Sequence, residues 1–260
     1  MGDQRTDCAI ETNGKANHVG LSKRPDAQPR GTRNDKLVSK ASPQLLSSAH
    51  RWQGLQRRIG LTGGIASGKS SVGHYLEQQG LPVLDADIYA HEALAPGSPG
   101  AEAVIQRYGP QVEASLHTSD EAAASEMHRI DRRALGQIVF NNPAERQWLE
   151  QLIHPVVRAR FNQEIDREPQ ASAIVLMIPL LFEAGLEALC SEIWVVQCTP
   201  TQQLTRLCQR DGLDQEAALA RVRAQWPMRE KCQHADLVLD NSGAPERWKA
   251  QIAEQLHWSS

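Results

Sequence analysis

The chain has 260 residues, 40% hydrophobic and 23% charged, enough to build one core with small appendages. Its net charge of −3 hides an asymmetry: residues 1–58 hold eleven Lys/Arg against five Asp/Glu, and the remainder holds 17 against 26. An acidic body excludes a nucleic-acid surface as the main function, and no apolar run approaches the ~20 residues of a membrane span, so a soluble, cytoplasmic protein is expected.

Residues 1–56 are rich in Ser, Asn, Lys, Arg, Gly and Gln without a period of 2 or 3.6, and read as a disordered polar and basic extension. Met1-Gly2 fits the loose myristoylation pattern, but a single acyl chain anchors only marginally. Acids at Asp3, Asp7, Glu11, Asp26 and Asp35 argue against an organellar transit segment. The five cysteines and nine histidines throughout the chain show no zinc-ligand spacing, which argues against a protein-ligated transition metal.

Next comes Ile59–Thr62, a short apolar strand, and then Gly63 to Ser70, which fits Gly, four residues, Gly-Lys-Ser: a phosphate-binding loop. Glycines permit a backbone that turns its N–H groups onto phosphate oxygens. Lys69 supplies a point charge, Ser70 a hydroxyl for Mg²⁺, and the helix beginning here points its positive end at the anion. Val72, Tyr75 and Leu76 are spaced for one helix face, with Gly80 as a stop.

Four further strands are expected: Pro82–Asp85, Ala173–Ile178, Glu192–Cys198 and Leu237–Asp240. Alternation with helical patterns predicts an α/β fold with a five-stranded parallel sheet and flanking helices. Asp85-Ala86-Asp87 closes the second strand, where ligands of open α/β sheets bind. The two acids, projecting to one side of an extended strand, are candidates for a proton acceptor or a Mg²⁺ partner; alternatively they cap a helix beginning near Ile88.

Residues 88–169 then offer helix starts at Ser98-Pro99, Asp131, Asn142-Pro143 and Pro155 but no strand, and read as an inserted helical subdomain with a polar surface excursion near 116–126. Thr199-Pro200 starts a helix with Leu204 and Leu207 on one face, and a second helical pattern follows Asp214. Arg206, Arg210, Arg221, Arg223 and Arg229 make residues 201–234 dense in arginine. That density suits either a lid over a transferring phosphoryl group or a solvated face. At this level a kinase for some small hydroxyl compound and a nucleotide-dependent switch both remain open, although the Asn-Lys-x-Asp guanine-reading motif is absent.

The run Thr62 to Ser70 with Val83-Leu84-Asp85-Ala86-Asp87 resembles the opening of dephospho-coenzyme A kinases. Pro96-Gly97, Tyr108-Gly109, Asp131-Arg132, Asn142-Pro143, His154-Pro155, Pro179 to Glu183, Arg206 to Asp211, Ala218 with Arg221 and Gln225, and Asp240-Asn241-x-Gly243 continue it in order. The resemblance covers residues 58–256 and implies a P-loop kinase with a core (57–87, 170–200, 235–260), a substrate-binding insertion (88–169) and a lid (201–234). It implies transfer of the ATP γ-phosphoryl group to the ribose 3′-hydroxyl of dephospho-coenzyme A, with Mg²⁺, by a monomer or weak homo-oligomer. Asp87 would be the base, with Lys69 and Arg210 catalytic. Gly63, Gly64, Ala66, Ser67, Gly68, Lys69, Ser70, Ser71, Arg221 and Asn241 would bind ATP, and Ser70 would hold the metal. His154 receives no catalytic role. The sequence departs from the family pattern at Ala66, usually Gly; at Ser71, usually Thr; and at Met177, where many members carry Asp, so no third-strand carboxylate is available for Mg²⁺.

Overall fold

The computed structural model describes residues 50–114 and 129–257. The expected N-terminal extension lies almost wholly outside them, and the 116–126 excursion wholly so.

Five strands form one parallel sheet in the order β2-β3-β1-β4-β5: β1 (Arg57–Gly63), β2 (Val83–Asp85), β3 (Ala173–Met177), β4 (Glu192–Gln197) and β5 (Leu237–Asp240). Each expected strand is present, within about two residues of its predicted ends. β1 begins earlier than its apolar run because Arg57 pairs with Glu192 on β4 and lies over the Trp194 ring. In the ladder, Leu61 sits opposite Met177 on one side and Trp194 on the other.

Alternation along the strands divides the interior into two layers. Ile174 and Leu176 face a cluster with Tyr89, Val157 and Phe161; Val175 and Met177 face Ile59, Leu61, Val72, Leu76 and Trp248 on the opposite side. The second layer is covered by α1 (Lys69–Gln78) and α9 (Pro245–His257), the first by helices inserted between β2 and β3. These are α2 (Ala86–Ala93), α3 (Pro99–Tyr108), α4 (Arg132–Asn141) and α5 (Pro143–Arg167). Ser98, Asp131 and Asn142 cap α3, α4 and α5 through their side chains, as their positions predict.

Two expectations require correction. Pro155 does not start a helix; it lies inside the 25-residue α5. Leu149, Leu152 and Ile153 before it and Val157, Phe161 and Ile165 after it keep one helical period. Burial of the last three, with Phe161 edge-to-face on Tyr89 at 5.1 Å, offsets the ~3 kcal/mol cost of an interior proline. The helix expected near Ile88 begins at Ala86, so Asp87 belongs to its first turn and not to the strand.

After β4 come α6 (Pro200–Asp211), α7 (Gln215–Arg223) and α8 (Met228–Gln233). Thr199 and Gln202 form a reciprocal capping box at α6, and Asp214 caps α7. The short α8 is anchored by Lys231, fully buried, whose Nζ lies 2.8 Å from Glu183 Oε1. The same oxygen accepts the Trp226 N–H at 2.9 Å, and the Trp226 ring stacks on Phe182 at 5.8 Å. The turn between α7 and α8 is thereby tied to the segment after β3.

Candidate active site

The loop from Gly63 to Gly68 occupies the carboxyl end of β1, between β3 and β4, where open α/β sheets bind ligands. Gly68 opens α1 at φ 101°, and a Cβ there would meet the Asn241 amide at 2.0 Å, so both conformation and space require glycine. Ala66 has φ 58°, the one positive φ at a non-glycine position among the described residues. An L-residue in this region is strained by ~1–2 kcal/mol. Ala66→Gly is therefore expected to raise stability by up to ~1 kcal/mol after the greater unfolded-state freedom of glycine is subtracted, read as a Tm increase of about 2–4 °C. A lower Tm would show that the Ala66 methyl contributes packing that outweighs the strain.

The loop is braced from behind by side chains far away in sequence. Asn241 donates Nδ2–H to the Ser67 carbonyl at 2.9 Å, while its own Oδ1 accepts from the Trp248 indole at 3.1 Å. Arg206 donates to the Asn241 carbonyl at 3.2 Å and to that of Ser67 at 3.5 Å. Ile65 is held at both polar groups: its N–H by Gln225 Oε1 at 2.8 Å and its carbonyl by Gln203 Nε2 at 2.8 Å. Arg206 and Gln225 come from the arginine-rich segment, so that segment already touches the phosphate loop.

In front of the loop lies a cleft of about 730 Å³. Gly63, Gly64, Ala66, Ser67, Gly68, Lys69 and Ser70 line it, with Asp87 and Arg210. Ser71, Arg221 and Asn241 do not: Ser71 is exposed on α1, Asn241 holds the loop as described, and Arg221 pairs with Asp211 at 2.7 Å. Arg210 also engages Asp211, through Nε at 2.7 Å and Nη2 at 3.1 Å. That contact is the main cause holding the Asp211 carboxyl below its ordinary range.

Asp85 and Asp87 have separate tasks. Asp85 Oδ1 accepts the Asp87 N–H at 2.9 Å and caps α2, so the capping alternative holds for this residue. The Asp87 carboxylate forms no hydrogen bond with the described residues and opens onto the cleft. Surrounding protein screens it from bulk water enough to push its pKa up, against the opposing pull of Lys69. Burial in turn lowers the Lys69 pKa, with Asp87 and then Asp85 opposing. A cation and a carboxylate thus face one cleft, each partly desolvated and coupled to the other.

Met177 is buried beneath α1, its Sδ 2.8 Å from where a Cβ on Gly73 would stand, so the end of β3 contributes packing here. No group of three or more His, Cys, Asp or Glu among the described residues could hold a metal.

The far wall of the cleft comes from α5: Arg146, Glu150 and His154, on one helix face. Sequence reasoning gave these residues no task. Their four-residue spacing was the available signal, masked by the proline beside His154. Burial lowers the His154 pKa, with Glu150 opposing and Arg158 reinforcing.

A family model described as dephospho-CoA kinase matches residues 57–246. The chain belongs to the dephospho-CoA kinase family. A dephospho-CoA kinase of Synechococcus sp. (strain CC9605) is 60% identical over 204 residues, covering 78% of this chain and 94% of that one. One from Gloeobacter violaceus is 49% identical over 210 residues, covering 81% and 96%. Among solved structures, TT1252 from Thermus thermophilus is similar with TM-score 0.66 at 34% identity, covering 80% of this chain and all of that one. The dephospho-CoA kinase from Campylobacter jejuni is similar at TM-score 0.52 and 27% identity, covering 80% and 99%. The dephospho-CoA kinase family therefore accounts for the phosphate loop, the parallel sheet and the kinase class. No helix among the described residues is long and apolar enough to cross a membrane.

Proposed function

We propose that this protein transfers the γ-phosphoryl group of ATP to the ribose 3′-hydroxyl of dephospho-CoA, giving CoA and ADP. The observation that carries this reading is a single cleft bordered by the phosphate loop, the unbonded Asp87 carboxylate and the charged face of α5. The loop amides and Lys69 hold the donor phosphates. Asp87 orients the acceptor hydroxyl and takes its proton as the phosphoryl group moves. Arg210 leaves Asp211 to meet charge on the transferring group when α6 to α8 close as a lid, and residues 88–169 form the acceptor-binding region. Positioning and charge stabilisation do most of the work in such transfers.

The donor set fits Mg²⁺. That ion prefers phosphate oxygens and water, with only one or two protein oxygens. The Ser70 hydroxyl and the Asp87 carboxylate, both in the cleft wall, would supply those without a three-ligand cage. When bound, the ion neutralises charge on the phosphate oxygens. ATP as donor suits the cytoplasm.

The test is ADP release measured with dephospho-CoA, its 3′-deoxy analogue and a panel of nucleosides. Turnover of the first and none of the second is expected. Preference for a nucleoside would overturn the assignment.

A further inference from the structure

On the inserted helices, Arg107, Arg160 and Arg167 each hold a carboxylate of the same region. Arg107 grips Glu145 through Nε and Nη2 at 2.7 and 3.0 Å, and Arg160 reaches Glu92 at 2.9 Å as well as Glu164. Arg132, Arg133, Arg146 and Arg158 have no carboxylate among the described residues within 4.0 Å, and of these four only Arg146 is half-buried and borders the cleft; the other three are exposed and lie outside it. Glu150, one turn further along the same face, borders the cleft without closing onto it. A guanidinium cannot shed its proton, and partial burial without a counter-ion is costly, so this position is built for an anion that the chain itself does not supply.

In the reading above, the donor phosphates are met by the loop amides and Lys69, with Arg210 joining them as the lid closes. Arg146 projects from the inserted helices, the wall left for the acceptor. Its planar fork matches a pair of phosphate oxygens.

Resting on the reading above, we propose that Arg146 binds the 5′-diphosphate of the acceptor and so fixes a diphosphate-bearing ribonucleoside with its 3′-hydroxyl at Asp87. Diphosphate and reacting hydroxyl sit on the same ribose, so anchoring one restricts the other. The Glu150 carboxylate repels a second anion and confines the diphosphate to the Arg146 end of the helix face. Selectivity for a diphosphate-bearing acceptor over a bare nucleoside then comes from this contact and not from the phosphate loop.

The experiment compares the full chain with Arg146→Ala and Arg146→Lys in steady-state assays, varying dephospho-CoA at saturating ATP and then ATP at saturating dephospho-CoA. Loss of a charge-assisted bidentate contact predicts a ~10–100-fold rise in KM for dephospho-CoA in Arg146→Ala, with KM for ATP within about twofold. Arg146→Lys, which keeps charge but loses the fork, is expected to lie between. Adenosine, which lacks the diphosphate, serves as competitor against dephospho-CoA at saturating ATP. Its inhibition constant should be unmoved in both variants.

An unmoved KM for dephospho-CoA in Arg146→Ala overturns the proposal, as does a parallel loss of adenosine binding, which would mark a merely structural role. If Arg146→Ala does not fold, Arg146→Lys and the adenosine comparison decide alone. Absence of dephospho-CoA turnover in the wild-type protein would instead overturn the functional reading, and this proposal with it. The two failures are thus separable.

Discussion

Asp87→Asn is expected to lower kcat by ~10²–10⁴, the range for loss of a positioned general base, while the Tm stays close to that of the unaltered protein. The substitution is nearly isosteric, and Asp85 Oδ1 accepts the backbone N–H of residue 87, so the cap of α2 survives it. The Asp87 carboxylate makes no hydrogen bond to the described residues that the amide would lose. Near-normal turnover in a correctly folded variant would remove Asp87 from the role of base.

The pH profile supplies a second readout. Asp87 must be ionised to accept a proton, and although the residue is exposed, the protein crowding its carboxylate in the cleft pushes its pKa up, with Lys69 opposing and Asp85 adding to the rise. Activity is therefore expected to fall as pH drops through this raised value, an acid limb displaced upward from that of an ordinary carboxylate. Residual activity of Asp87→Asn should lack that limb. Retention of the same limb would assign it to another group.

Much of the fold was legible because its signals are local. Continuous apolar runs such as Ile174 to Ile178 read as buried strands, and Ser98, Asp131 and Asn142 announce helix starts through their own side chains. Pro155 misled because the rule against interior proline is a local preference, overridden by burial of Val157, Phe161 and Ile165.

Asp85 and Asp87 show a different limit. Two residues apart, they could share a strand face or divide between a strand end and a helix turn, and the choice depends on where the backbone changes direction. The phosphate loop was recognisable from its glycines, Lys69 and Ser70. Gln203 carried no signal, and the resemblance marked Gln225 and Asn241 without revealing that they brace the loop, because each acts across 138 or more positions of sequence. Nothing in the local pattern around Asn241 says that its amide is directed at the Ser67 carbonyl. The face formed by Arg146, Glu150 and His154 was periodic, yet periodicity alone cannot distinguish a cleft wall from a solvated face.

Lys231→Met is expected to destabilise the protein by roughly 3 kcal/mol, a fall in Tm of about 6–12 °C. The methionine side chain fills similar space, so cavity formation is a minor part of the cost. The larger part is the Glu183 carboxylate, left with 18% of its side chain exposed and without its cation. Its Oε1 still accepts the Trp226 N–H, but Oε2 is buried and already lacks a hydrogen-bond partner. The Lys231 Nζ contact, although 2.8 Å long, falls outside hydrogen-bond angles, so the pair is held by charge more than by directed bonds. Neutralising both members should therefore restore most of the loss. Glu183→Gln keeps an oxygen for Trp226 N–H and removes the unpaired charge, so the Lys231→Met/Glu183→Gln protein is expected within about 1 kcal/mol of the original. Thermal melts of the two single variants and the double variant measure the coupling. Additive losses would show that the two residues act independently.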